Sequence, residues 1–164
     1  TTLFRSIFKE NEKFNPYNKT TRYQFSLMLY RALDLEVPAA TAFKDIVKLD
    51  AEAQSAIKAL NKLGVINGVN KETFAPYNKI TRAQTAKMIY RLLVSNGYQD
   101  KANATMPFSD VSATDAELNK AAAQLNALGI MTGSNGKLNP NAPLTRDQMS
   151  KVLNNTLQAL EGLQ

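Results

Sequence analysis

The sequence predicts an all-α fold built from tandem two-helix units. The first observation is a Thr-Arg-x-Gln segment that occurs three times, with its arginines at Arg22, Arg82 and Arg146. The second is an apolar spacing of α-helical period that follows each segment and precedes two of them. The third is the clustering of Gly, Asn and Pro between the helical patterns, which indicates fixed loops. A repeat of this kind organises the whole fold.

Three units follow from the spacing of these arginines, which lie 60 and 64 residues apart. Unit 1 covers residues 1–35, unit 2 residues 43–93 and unit 3 residues 108–157. Unit 1 is incomplete, because residues 1–13 have no counterpart of the front half, and they are either a degenerate half-repeat or a truncation product. A two-helix unit cannot bury its own apolar face, so one module over residues 1–164 is expected.

The first helix of units 2 and 3 is predicted from its caps and its apolar stripe. Asp50 and Asp115 are the expected N-caps, and Gly64 and Gly129 are the expected C-terminal stops. In unit 2 the stripe consists of Ala56, Ile57, Leu60 and Leu63. Unit 3 repeats this spacing, so both helices should bury one face.

The second helix of every unit is predicted to start at a capping box. Thr21, Thr81 and Thr145 are each followed three residues later by Gln, which can satisfy orphaned backbone donors reciprocally. The arginine after each Thr sits at the positive end of the helix dipole, where a cation is disfavoured by up to about 1 kcal/mol. Three repetitions of an unfavourable placement call for an explanation.

Composition excludes several classes of chemistry. The chain has no Cys and no His, which removes disulfides, thiol nucleophiles, the usual general base and the commonest zinc ligands, so no metal or cofactor is expected. Residues 1–20 lack a signal-peptide pattern and no apolar run is long enough to span a bilayer, so we expect a cytoplasmic or already processed chain. A net charge of +6 favours anionic partners.

The ordered motifs of unit 2 resemble a known family. They are Phe-x-Asp at 43–45, Leu-Gly-Val-Ile-x-Gly at 63–68, Phe-x-Pro at 74–76 and Ile-Thr-Arg-Ala-Gln at 80–84. This order resembles the S-layer homology (SLH) repeat, and the resemblance spans residues 14–157. Three departures are the missing front half of unit 1, Leu138 in place of Phe74, and Asn154 and Asn155 in place of Tyr90 and Arg91.

The resemblance implies a fold, a partner and a location. The fold is a pseudo-threefold, three-pronged helical spindle with grooves between neighbouring repeats. Those grooves bind secondary cell wall polymer, which is linked to peptidoglycan, commonly through a terminal pyruvylated N-acetylmannosamine. The implied function is non-covalent anchoring of an exported bacterial surface protein to the cell wall or S-layer, without a reaction and without membrane insertion.

The three arginines are the leading candidates for ligand binding. A helix N-terminus with free N–H groups attracts anions, and a guanidinium can hold a carboxylate through two charge-assisted bonds. The pyruvyl ketal presents such a carboxylate. On this hypothesis the ligand compensates for the unfavourable position of Arg22, Arg82 and Arg146.

Two grooves are expected to be complete. One joins Arg22 with Asp45 and the Gly64 to Gly68 turn, and the other joins Arg82 with Asp110 and the Gly129 to Gly133 turn. Arg146 would close a third groove with the N-terminal segment. Among the glycines, Gly68 and Gly133 are the stronger candidates for ligand contact, since Gly64 and Gly129 fit helix stops. The exposed faces expected to stack on sugar are those of Tyr17 and Tyr77.

Four alternatives stand beside this hypothesis. The arginines can be structural partners of Asp45 and Asp110. The chain can be a helical protein–protein interaction scaffold without carbohydrate binding, although the period exceeds that of common helical solenoids. Nucleic-acid binding lacks a recognition helix or a basic cluster. Catalysis by Asp45 and Asp110 is disfavoured because the two carboxylates occupy equivalent positions in repeated units, whereas acid and base roles require different environments.

Overall fold

Five helices form the described part of the chain, which in this computed structural model comprises residues 15–36 and 40–164. They are α1 (Arg22–Ala32), α2 (Ala51–Lys62), α3 (Arg82–Ser95), α4 (Ala116–Ala127) and α5 (Arg146–Glu161). Within these residues the only β-type pairings are isolated bridges, so the all-α prediction is confirmed. None of the described helices is both long and apolar enough to cross a bilayer. The front half of unit 1, with its two alternative origins, lies outside the described residues.

Each helix begins where its cap predicts. The Thr21, Thr81 and Thr145 side chains accept from the backbone N–H of the Gln three residues later, and that Gln side chain accepts from the Thr N–H, so all three capping boxes are confirmed. The N-caps of α2 and α4 are Asp50 and Asp115. Capping satisfies donors that would otherwise lack partners and is worth about 1 kcal/mol per helix.

The apolar stripe of α2 is buried except at its end. Ala56, Ile57 and Leu60 have no exposed surface, whereas Leu63 is 45% exposed. Leu63 is the C-cap, and Gly64 follows in the left-handed conformation with φ +70°, which turns the chain away from the helix axis. The prediction that Leu63 belongs to the core is therefore wrong.

The helices pair across units. α1 packs on α2 and α3 packs on α4, so among the described helices the second helix of one unit contacts the first helix of the next unit. Matching ion pairs hold the two junctions: Arg31 Nε and Nη2 donate to the Glu52 carboxylate at 2.7 Å each, and Arg91 binds Glu117 at 2.6 and 2.8 Å. The packing of each second helix on the first helix of the next unit joins these units into one body.

A closed ring of backbone hydrogen bonds joins the three units just ahead of their second helices. The Thr20 N–H donates to the Leu144 carbonyl at 2.9 Å, the Leu144 N–H to the Ile80 carbonyl at 3.3 Å, and the Ile80 N–H to the Thr20 carbonyl at 2.9 Å. All three residues are fully buried. The ring links each unit to both of the others, while the pseudo-threefold, three-pronged spindle stays a prediction.

The Thr20 side chain carries a buried hydroxyl oxygen that has no hydrogen-bond partner in the described part of the chain. Thr20→Val keeps the shape and removes the unsatisfied oxygen, so we expect the free energy of unfolding to rise by about 1 kcal/mol. Urea denaturation followed by circular dichroism measures the change. Thr20→Ser is the matched control: it keeps the hydroxyl, removes a buried methyl and should be destabilised by about 1 kcal/mol. A Thr20→Val variant less stable than wild type would contradict the absence of a hydrogen bond at this hydroxyl.

Candidate functional site

Arg22 begins α1 and reaches into unit 2. Its Nε donates to the Phe74 carbonyl and its Nη2 to the Asn67 carbonyl, both at 2.9 Å, and its guanidinium carbon lies 4.6 Å from the centroid of the Phe74 ring. The residue is only 5% exposed. Burial lowers the pKa of Arg22, and the charge of Asp45 opposes that shift. The structure thus brings together Arg22, Asp45 and the 64–68 turn, but through contacts that already occupy this guanidinium.

Arg82 holds the equivalent place between units 2 and 3 with fewer contacts. Its Nε donates to the Leu138 carbonyl at 2.5 Å, while Nη1 and Nη2 form no hydrogen bond with the described residues. Its side chain is partly exposed, unlike that of Arg22. Burial lowers the pKa of Arg82, and Asp110 opposes the shift through its charge. Two nitrogens of the Arg82 guanidinium are therefore not engaged by the described residues.

The backbone N–H groups at the helix N-termini are not free. Arg22, Arg82 and Arg146 donate their N–H groups to the carbonyls of Asn78, Ala142 and Asn18, each at 2.9 Å. The next N–H in each helix donates to the carbonyl of Pro76, Pro140 or Pro16. The predicted anion site built on free helix N–H groups is therefore wrong, because the neighbouring unit supplies the acceptors.

Asp45 and Asp110 anchor the loop that precedes each proline. Asp45 accepts from the N–H groups of Phe74 and Ala75 at 2.8 and 2.7 Å, and Asp110 accepts from those of Leu138 and Asn139 at 2.8 Å. Desolvation acts to raise the pKa of Asp110, but these N–H donors, its own N–H and the nearby Lys137 together hold that pKa below its usual value. Through these N–H contacts both carboxylates hold the residues whose carbonyls the arginines bind, Phe74 and Leu138.

The four candidate glycines have packing functions. Gly64 and Gly129 both have φ +70° with open space beside the Cα. Gly68 and Gly133 lie against the Phe43 and Phe108 rings, where an added Cβ would come within 3.0 Å of ring and carbonyl atoms. Contact between these glycines and a sugar stays a prediction.

The two candidate tyrosines differ in their surroundings. Tyr77 is 58% exposed and its ring packs edge-on against Tyr23 of α1 with centroids 5.7 Å apart, whereas Tyr17 is 87% exposed. The Tyr77 ring is therefore oriented by its contact with Tyr23, whereas the Tyr17 side chain is almost fully exposed on its loop. Arg146 begins α5, and the third groove predicted with the N-terminal segment lies outside the described residues.

Sequence reasoning identified Asp45 and Tyr77 as candidates but missed the other side chains of the groove that they line. This groove beside Tyr77 has a volume of about 420 Å³ and is lined by Lys44, Asp45, Val47, Lys48, Ala75, Pro76, Tyr77 and Asn78. A signal was available, since unit 3 carries Ser109, Ser112, Ala113 and Asn141 at the positions of Lys44, Val47, Lys48 and Tyr77. No group of acidic residues in the described part of the chain is arranged to hold a metal ion.

Comparison with known proteins agrees with this architecture. The family model of the S-layer homology domain matches residues 42–86 and 107–150, which together exceed half of the chain. The chain is 33% identical over 156 residues to the surface-layer 125 kDa protein of Lysinibacillus sphaericus, covering 93% of this chain and 13% of the relative. It is 29% identical over 147 residues to S-layer protein EA1 of Bacillus anthracis, covering 88% of this chain and 16% of the relative.

An enzyme shares the same similarity. The chain is 31% identical over 152 residues to an endoglucanase of Bacillus sp. (strain KSM-635), covering 88% of this chain and 15% of that enzyme. It therefore spans less than a fifth of the length of all three relatives, and the shared segment occurs in proteins with different names. Together with the two matched repeats and the helical fold, this shows that the chain belongs to the S-layer homology domain family.

Proposed function

We propose that this chain is a cell-wall anchoring module that binds an anionic secondary wall polymer non-covalently at the surface of a bacterium. The family membership supports anchoring, because S-layer proteins and a glucan-degrading enzyme share the segment. The module itself carries out no reaction in this proposal. Any activity belongs to the protein that it anchors.

The observation that carries the finer proposal is the state of Arg82. Its two terminal nitrogens have no partner among the described residues, while its Nε is fixed on the Leu138 carbonyl, so the guanidinium is oriented and retains two parallel donors. A pyruvyl carboxylate on a terminal N-acetylmannosamine matches that pair of donors. Asp110 has both oxygens engaged by N–H groups, which disperses its charge and reduces its repulsion of the ligand.

Titration calorimetry tests this assignment with purified pyruvylated wall polymer and the same polymer after removal of the ketal. We expect Arg82→Gln to weaken binding to the intact polymer by about 10- to 100-fold, because a charge-assisted bidentate contact contributes roughly 1.5–3 kcal/mol. The affinity of Arg82→Lys should lie between those of wild type and Arg82→Gln, because lysine keeps the charge but lacks the two parallel donors.

The control is Lys62→Gln, which removes the same charge from an exposed position outside the groove. Equal affinity of wild type and Arg82→Gln for the intact polymer would overturn the carboxylate assignment. Failure of isolated wall sacculi to retain the wild-type chain would overturn anchoring and favour a helical protein-interaction scaffold.

A further inference from the structure

The groove beside Tyr77 has a composition that the fold does not require. Units 2 and 3 share the backbone framework, since Asp45 and Asp110 each accept two N–H groups from the corresponding loop. Six lining positions differ between the units, and unit 3 still forms the same loop. Unit 3 has Ser109, Ser112, Ala113 and Asn141 in place of Lys44, Val47, Lys48 and Tyr77, and Asn139 and Ala142 in place of Ala75 and Asn78. The shared loop therefore does not require the side chains that unit 2 has at these positions.

Those side chains are exposed and chemically matched to a sugar acid. Val47 is 70% exposed and Tyr77 is 58% exposed, and both line the same groove, so an apolar strip faces water. Contact between Tyr77 and Tyr23 fixes the orientation of the tyrosine ring before any ligand arrives. Aromatic and aliphatic surface of this kind packs on the apolar face of a pyranose ring, and a pre-oriented ring loses little entropy on binding.

Two lysines give the groove its charge. Lys48 forms no hydrogen bond or ion pair with the described residues, and it lies on the groove wall. Lys44 pairs with Glu72 at 2.6 Å, but both side chains are more than half exposed, and an ion pair of that kind contributes little and exchanges partners readily. Both ammonium groups are thus available to an anion in a groove of about 420 Å³, within the range of about 300–1,000 Å³ typical of small-ligand sites.

We propose that this groove is a second polymer subsite. It binds a pyranose residue that lies away from the ketal end of the polymer and carries an anionic substituent. The sugar ring packs on Tyr77 and Val47, and the anion binds Lys44 and Lys48. The inference rests on the proposed wall-polymer function. It differs from the Arg82 site in location and in chemistry, because ammonium groups with an aromatic platform replace the guanidinium fork. Two subsites on one chain raise the affinity for a continuous polymer through effective concentration.

The test exchanges the groove side chains for their counterparts in unit 3, combining Lys44→Ser, Val47→Ser, Lys48→Ala and Tyr77→Asn in the full chain. Circular dichroism checks folding, and the single variant Lys48→Ala serves if the combined variant is unstable. A chain with Lys62→Ala and Lys71→Ala is the charge-matched control, since it loses two exposed lysines that do not line the groove. Each chain is titrated with intact and with ketal-free wall polymer.

We expect the exchanged chain to lose about fivefold to tenfold in affinity for both polymers, as fits the loss of a stacking face and two weak ionic contacts. Arg82→Gln should lower the affinity for the intact polymer alone. If Arg82→Gln leaves that affinity unchanged while the exchanged chain binds more weakly, the carboxylate site at Arg82 is refuted and the groove subsite is retained. Affinity equal to that of the lysine control, loss confined to the ketal-bearing polymer, or no wild-type binding to ketal-free polymer would each overturn the subsite. Polymer with its carboxylates reduced to alcohols identifies the anion: retained dependence on Lys48 assigns it to phosphate, and lost dependence assigns it to a uronate.

Discussion

Replacing Arg22 by methionine is expected to lower the free energy of unfolding by about 3 kcal/mol, because Arg22 is a buried contact between units 1 and 2. Methionine fills much of the volume but donates no hydrogen bond. The Phe74 carbonyl then loses its donor in a buried hydrogen bond, and an unsatisfied buried acceptor costs about 1–3 kcal/mol. The Asn67 carbonyl loses its donor in a partly buried hydrogen bond, which costs less. Loss of the contact with the Phe74 ring adds to the effect.

The matched control is Arg82→Met at the equivalent junction. Only one of its side-chain nitrogens is engaged by the described residues and its side chain is partly exposed, so we expect a loss of about 1–2 kcal/mol. Urea denaturation gives both values, and calorimetry with wall polymer should reverse their order, because Arg82 is the proposed ligand contact. Equal destabilisation by the two variants would show that the arginines have the same structural role.

The helix starts and the order of the units could be predicted from sequence because their signals are local. Each capping box lies within four residues, and the Asp50 and Asp115 caps adjoin the helices that they begin. The proximity of Arg22 to the 64–68 turn was expected only on the assumption that a complete turn faces the corner of the preceding unit. The Asn67 carbonyl accepts from Arg22 at that place.

Features that depend on distant partners were not predictable from one sequence. The N–H of Arg22 is satisfied by Asn78, 56 positions away, and no local pattern shows that this donor is occupied. Pairing of helices across units is equally hidden, because an apolar stripe does not identify the helix that covers it. Ala75 has φ +58°, and alanine gives no signal of a left-handed position, unlike Asn139 at the equivalent place.

The residues at positions 31, 91 and 155 are equivalent in the three second helices but make different contacts. Arg31 and Arg91 each bind a Glu in the first turn of the following unit's first helix. Asn155 stands at their equivalent position in α5 and donates to the Gly129 carbonyl of its own unit at 3.1 Å. Asn155 therefore makes a contact within unit 3, whereas Arg31 and Arg91 reach the following unit.

Gly68→Ala is expected to destabilise the chain by about 2–4 kcal/mol, because a methyl group at this position meets atoms that cannot yield. An ideal Cβ would lie within 3.0 Å of the Asn70 and Thr73 carbonyl oxygens and of the Phe43 ring. Relief requires the turn to move, and the turn carries the Asn67 carbonyl that Arg22 binds. The damage should therefore spread to the junction between units 1 and 2.

Gly64→Ala separates that steric effect from the conformational preference of glycine. Gly64 has φ +70°, which an L-residue adopts at a cost of about 1 kcal/mol, but nothing lies within 4 Å of its added Cβ. We expect a loss of about 1 kcal/mol for Gly64→Ala and a clearly greater one for Gly68→Ala, measured by urea denaturation of both variants. A smaller loss of stability at Gly68 than at Gly64 would mean that the turn moves readily to relieve the contacts of the added methyl group with the Phe43 ring and the two carbonyl oxygens. A larger loss at Gly68 would identify that turn as a rigid support for the Asn67 carbonyl that Arg22 binds.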